Sequence, residues 1–275
     1  MDISSKRVLK NYRKSASYEW ERLFRDQYHQ LEFDTTFHFL MQHLPRRGLI
    51  LDAGGGPGRY TIELAKLGYD IVLFDLTPEL LDIARVQVKK AGVQERVKDY
   101  VCGSVHDLSG FESASFDAVL CLGGPLNHLV NPARREKAID ELVRVARKNS
   151  PIFISVIGRL ANLNLVLQNN PEGLERYPGI YRKILRTGDY DGSIGFAPCH
   201  FYLLEELEKS LKKRRLRILN EVGLQGLTPK HPKEIAALAK KYPKGWKTWK
   251  ELHLESCTHP AVVASSENIL IVCRK

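Results

Sequence analysis

The stretch LDAGGGPGRY, residues 51–60, decides the fold. A short apolar run, Leu49–Ala53, leads into it, and a helix is expected to begin near Arg59. The glycines at 54, 55, 56 and 58 let the backbone turn sharply and approach a ligand with no Cβ atoms in the way. The free N–H groups of the following helix start point at the same place. About 17 residues beyond Gly58, Asp75 closes a second apolar run, where a carboxylate can accept both hydroxyls of a ribose. A strand, a glycine turn, a helix and an acidic strand end together imply a ligand that contains a nucleoside.

Further along the chain the alternation continues. Apolar runs at 71–74, 97–102, 116–122 and 152–157 are short and nearly continuous, as strands covered by helices on both faces are. One intervening helix is expected to open at Thr77 and Pro78 and to stop before Gly92. Another opens at Asn131 and Pro132 and places Ala138, Ile139, Leu142, Val145 and Ala146 on one side. This pattern implies an α/β fold with a doubly wound, Rossmann-like parallel sheet. Later, a helix with Leu203, Leu204, Leu207 and Leu211 leads into strand-like residues 216–222, and a last run covers 268–273. Residues 1–45 read as one or two helices forming a lid, and 46–275 as the ligand-binding domain. Insertions at about 158–200 and 228–258 read as a cap.

The dinucleotide form of the glycine motif needs a third glycine at position 59, where this chain has Arg59. Asp52, just ahead of the first glycine, would also set negative charge against a pyrophosphate in a partly buried site. A ligand with an ammonium group, such as the methionine part of S-adenosylmethionine, suits Asp52 better. Here the chain resembles the class I S-adenosylmethionine-dependent methyltransferases, and among them the small-molecule type similar to quinone-biosynthesis methyltransferases. DAGGGPG (52–58) looks like the family's first motif, which wraps the methionine end, so the resemblance assigns Asp52, Gly54, Gly56 and Gly58 to the cofactor. It places Asp75, followed by Leu76, at the ribose. GSVHDL (103–108) is similar to the adenine loop, with Ser104 where the family often has Asp, and Val105 offering a backbone N–H. FDAVLCLGGPLNHL (116–129) is similar to the fourth strand and its loop, which puts Leu122 and Gly123 beside the reacting centre. The resemblance further implies an antiparallel last strand at 268–273. Its expected product is S-adenosylhomocysteine.

Methyl transfer from a sulfonium is an in-line displacement, and a base is needed only if the acceptor must lose a proton. His128 and Asn127, just beyond the fourth strand, are the catalytic candidates, with His106 a further histidine near the adenine loop. A histidine that only shapes its loop would fit the same pattern. The acceptor pocket is expected between the N-terminal helices and the first insertion. Tyr12, Tyr18 and Trp20 would wall it, or simply pack their helix on the core. Arg159, Asn162, His200 and Tyr202 lie at the insertion's edges. An anionic acceptor, such as a carboxylate, would account for Arg159; so would a salt bridge.

The whole chain carries 42 Lys and Arg against 32 Asp and Glu, a net +10, which biases it toward anionic partners. Much of the excess lies at 212–215 and in the Lys- and Trp-containing stretch 240–250. An RNA acceptor is therefore an alternative, although residues 123–126 read GGPL rather than an NPPY-type motif. A non-catalytic binder of the same cofactor and a nicotinamide-dependent reductase are weaker alternatives. The five cysteines show no CxxC spacing and read as core, and no metal site is expected from the histidine spacing. No apolar run approaches the roughly 20 residues of a membrane span, and a cytoplasmic protein is the default expectation. The acceptor, the atom methylated and the oligomeric state are left open by these residues.

Overall fold

The computed structural model describes residues 3–228 and 231–275. Three helices come first: α1 (Ile3–Lys14), α2 (Ala16–Glu21) and α3 (Gln27–His43). Then strands and helices alternate through β1 (Leu49–Ala53), α4 (Arg59–Lys66), β2 (Asp70–Asp75), α5 (Pro78–Ala91), β3 (Val97–Cys102), β4 (Ala118–Cys121), α6 (Pro132–Val145) and β5 (Pro151–Ile157). The cap comprises α7 (Arg159–Asn169), α8 (Pro171–Arg176), α9 (Pro178–Thr187), β6 (Asp189–Tyr190) and β7 (Cys199–His200). The chain ends with α10 (Leu204–Lys213), β8 (Arg217–Gly223), α11 (Pro232–Lys241), α12 (Pro243–Ser256), α13 (Pro260–Ser265) and β9 (Asn268–Arg274).

The seven apolar runs read from the sequence are the seven strands of one sheet, ordered β3-β2-β1-β4-β5-β9-β8. β1 through β5 are parallel. β9 runs antiparallel between β5 and the edge strand β8. The sheet's two faces follow the two-residue period of a strand. Leu51, Ala53, Val119, Cys121, Ile152, Ile154 and Ile271 pack toward α6 and α10 through Ile139, Leu142, Leu207 and Leu211. Their alternates, Ile50, Ile71, Ala118, Leu120, Phe153 and Leu270, pack against Phe33, Phe39 and Leu40 of α3 and Leu64 of α4. Strand order reverses at β1 and β4, whose carboxyl ends open the crevice where ligands of such sheets bind.

Two expectations need correction. The first 45 residues are not all lid: α3 buries Phe33, Phe39 and Leu40 against the sheet, so only α1 and α2 lie over the crevice. Cys102 is exposed at the end of β3, whereas Cys121, Cys199, Cys257 and Cys273 are buried. No helix among the described residues is long and apolar enough to cross a membrane.

Candidate active site

The glycine loop is held by the strand beside it. The amides of Gly54 and Gly55 both donate to the Phe74 carbonyl of β2, at 2.6 and 3.2 Å. Gly54 adopts φ +83°, and a Cβ there would lie 2.3 Å from Cγ of Pro125, in the loop after β4. Gly58, at φ +82°, caps α4 in the left-handed region. Glycine is thus required at 54 and 58 by backbone conformation, and at 54 also by the close approach of a neighbouring loop. Asp52, next to last in β1, is fully buried and accepts a 2.7 Å hydrogen bond from Thr61 Oγ1 on Oδ2. Its Oδ1 is buried with no partner. Burial pushes this carboxyl up to about 6; the Thr61 hydrogen bond opposes that, and nearby Asp75 adds to it.

Asp75 is buried at the end of β2, where its oxygens accept from the amides of Gly56, at 2.9 Å, and Thr77, at 2.8 Å. Burial raises its pKa and these hydrogen bonds pull against the rise. The carboxylate is thereby held at the wall of the cavity it lines. Asp52, Gly54, Gly56, Asp75, Leu76, Ser104, Val105, Leu122, Gly123 and His128 all line one cavity of about 1050 Å³ empty volume. Ser104 Oγ lies 2.7 Å from Nδ1 of His106. The arrangement suits a nucleoside that carries an ammonium group: ribose acceptors at Asp75, and an unsatisfied buried carboxylate oxygen at Asp52.

Across the cavity stands His128, in the 3-10 turn Pro125–His128. Its Nδ1 lies 3.1 Å from the Pro198 carbonyl, which can only accept, so the proton sits on Nδ1. Nε2 then accepts the hydroxyl of Tyr12, 2.8 Å away on α1. Burial lowers the pKa of His128 and raises that of Tyr12, so both groups are neutral near pH 7. α2 is fastened over the loop by Arg59, the residue standing where a dinucleotide motif has glycine. Its guanidinium stacks 3.3 Å from the Trp20 ring centroid, and its Nε donates to the Trp20 carbonyl at 2.7 Å.

A family model described as a methyltransferase domain matches residues 50–149, the segment from β1 through α6 that holds the glycine loop, Asp75 and His128. Residues 50–149 are thus similar to a methyltransferase domain. Among curated relatives, a ubiquinone biosynthesis O-methyltransferase of Xanthomonas axonopodis pv. citri is 35% identical over 115 residues, 42% of this chain and 45% of that protein. A ubiquinone biosynthesis O-methyltransferase of Xylella fastidiosa is 28% identical over 153 residues, 52% of this chain and 59% of that one. The chain thus spans about half the length of the curated relatives it matches. A solved S-adenosylmethionine-dependent methyltransferase of Methanosarcina mazei superposes with a TM-score of 0.59 at 19% identity, over 86% of this chain and 96% of that one. The 1,6-didemethyltoxoflavin-N1-methyltransferase of Burkholderia thailandensis does so at 0.57 and 15%, over 100% and 91%. At these identities the structural likeness speaks for the fold.

Several residues expected at the methyltransferase domain's site lie elsewhere. Asn127 is fully buried and spends its amide on backbone: Nδ2 donates to the carbonyls of Ile157 and His200, and Oδ1 accepts from the Ile157 amide. It holds the His128 turn against β5 and β7, which makes it a positioning residue and not a catalytic one. Arg159 is 3% exposed and points into the cap base, with Nη2 2.6 Å from Glu206 Oε1 and Nε 3.1 Å from the Phe201 carbonyl. His200 is paired with Asp189 at 2.7 Å and Glu206 at 3.4 Å. Although burial works against its charge, hydrogen bonds from His200, the Leu203 amide and Arg159 hold Glu206 at about 2. Neither Arg159 nor His200 lines the main cavity, so the case they made for an anionic acceptor falls. Tyr18 is 46% exposed beneath Arg25, whose guanidinium carbon lies 5.2 Å from the ring centroid, and it too is outside the cavity. The Lys- and Trp-rich stretch 240–250 lies in and around α12, again off the cavity lining.

Other lining residues carry no motif. Ser5, Val8, Glu19, Arg22 and Leu23 come from the N-terminal helices. Arg22 bridges Glu32, at 3.1 Å, and Glu19, at 3.4 Å, and burial raises the pKa of Glu19. In sequence, Glu19 and Arg22 are an ordinary i,i+3 charged pair, indistinguishable from a solvated helix face.

Proposed function

We propose that this chain is an enzyme that transfers the methyl group of S-adenosylmethionine to a small-molecule acceptor by in-line displacement, leaving S-adenosylhomocysteine. The observation that carries the reading is the unpartnered, buried Oδ1 of Asp52 beside the glycine loop. A buried carboxylate oxygen without a donor costs free energy, and an ammonium group supplies what it lacks. When bound, the cofactor supplies an electrophilic methyl on a sulfonium.

The chain's own residues do the rest. Asp75 would accept the ribose hydroxyls, Gly54 and Gly56 would give room for the methionine end, and Ser104 and Val105 would hold adenine. Tyr12 and His128 handle the acceptor's proton. As the acceptor's heteroatom takes the methyl, its proton passes to the Tyr12 oxygen while the Tyr12 proton moves to Nε2 of His128. The imidazolium so formed keeps its Nδ1–H on the Pro198 carbonyl. Positioning contributes on the order of 7–11 kcal/mol of such a barrier, and the proton path adds to it. A small acceptor suits a cavity walled by the N-terminal helices on one side and the glycine loop on the other. The names of the relatives, ubiquinone biosynthesis O-methyltransferases, point the same way.

Calorimetric titration with S-adenosylmethionine, S-adenosylhomocysteine and NADH tests the cofactor. Micromolar binding of the first two and none of NADH is the expected result; binding of NADH alone sinks the proposal.

A further inference from the structure

A second cavity lies inside the cap, beyond the segment that the family model matches. Residues of α7, α9, β6 and the loop before β7 enclose about 520 Å³ of empty volume, mouth included. Leu163, Val166, Ile180, Ile184 and Ile194 supply aliphatic wall, and none of its lining residues is charged. Several of the polar groups there are already hydrogen-bonded. Asn162 Nδ2 donates to the Gly158 carbonyl at 2.8 Å, Asn170 Nδ2 to the Tyr181 hydroxyl at 3.2 Å, and the Tyr190 hydroxyl to the Ile194 carbonyl at 2.5 Å. What the cavity offers a ligand is therefore mainly apolar surface.

Its position gives it a use. Phe196 lines this cavity, and the Phe196 ring centroid is 5.8 Å from that of His128, which lines the main one. One aromatic side chain thus lines the cap cavity and packs beside the histidine that lines the main one. Phe196 is 42% exposed and follows Gly195 at φ +72°, so it is not locked into a core. We propose that the cap cavity receives an apolar arm, alkyl or aryl, of the methyl acceptor, with Phe196 as the partition the arm passes and the reacting heteroatom held at Tyr12 and His128. This rests on the methyltransferase reading above. An acceptor lacking such an arm would leave the cap wall uncovered and bind correspondingly less well.

The test is calorimetric binding of phenol, 4-butylphenol and 4-octylphenol to the full chain, with S-adenosylhomocysteine titrated separately. Affinity is expected to rise by about two- to fourfold per methylene, the range set by partial to full burial of each group. Val166→Trp, on the open side of α7, should fill the cavity and flatten that dependence while leaving S-adenosylhomocysteine affinity unchanged. Ile184→Phe, from the opposite wall, should act alike, and circular dichroism of each variant checks that it folds. Affinity independent of chain length, or an undiminished slope in both folded variants, overturns the proposal. A wild-type protein that binds octylphenol in the cap but never S-adenosylhomocysteine would instead overturn the methyltransferase reading, and with it the assignment of the arm to an acceptor.

Discussion

The glycine loop and the cap base both hold buried charge, and they treat it in opposite ways. At the loop, Asp52 keeps one buried oxygen unpartnered, and Asp75 accepts from neighbouring amides and the Thr77 side chain, with no cation paired to it among the described residues. In the cap base, Arg159, Glu206, His200 and Asp189 satisfy one another at 2.6–3.4 Å, and the Phe201 carbonyl takes a further Arg159 donor. A closed network fixes a shape, because opening it leaves a charge buried and alone. An open one stays ready for a partner and carries the desolvation cost until that partner arrives. The same residue types, Arg, His and Asp, therefore mean different things in the two places.

The largest test of this contrast is His128→Ala. Turnover should fall by about 10²- to 10⁴-fold, the range for loss of a general base, with little change in S-adenosylmethionine affinity. Single-turnover kinetics beside calorimetry separate the two, and a fully active variant removes His128 from the chemistry. Arg159→Leu should do the reverse, lowering unfolding free energy by about 2–3 kcal/mol without slowing methyl transfer in the protein that stays folded. That figure lies below the one for a fully enclosed pair, because Glu206 is 38% exposed. A slowed reaction in a variant of unchanged stability would return Arg159 to the acceptor.

Asp75→Ala should weaken S-adenosylhomocysteine binding by about 1–3 kcal/mol, the cost of losing hydrogen bonds to a charged acceptor. Unchanged affinity in the folded variant would take Asp75 out of the site. The smallest effect is in pH. The Asp52 carboxyl of the free protein sits at about 6, and only its ionised form suits an ammonium. Above pH 6 the carboxylate is ready; below it a proton must first leave. Affinity for S-adenosylmethionine should therefore fall by about tenfold between pH 7 and pH 5. A flat profile over that range would show that Asp52 does not meet the ammonium.

How legible each part was in the sequence follows from the range of the forces that shape it. The seven strands, the loop 52–58 and Asp75 answer to local demands: short continuous apolar runs, glycine at positive φ, and an acidic residue closing a strand. Those constraints act within a few residues, so the order of residues alone determined the α/β fold and the glycine cradle. Which polar side chains face the cavity is set by partners far along the chain. Tyr12 meets His128 across 116 positions, Asn127 spends its amide on a residue 73 positions away, and Arg159 finds Glu206 47 positions on. Only the tertiary structure decided these, because a polar side chain turns toward whichever buried partner desolvation leaves it, and no local pattern records where that partner lies.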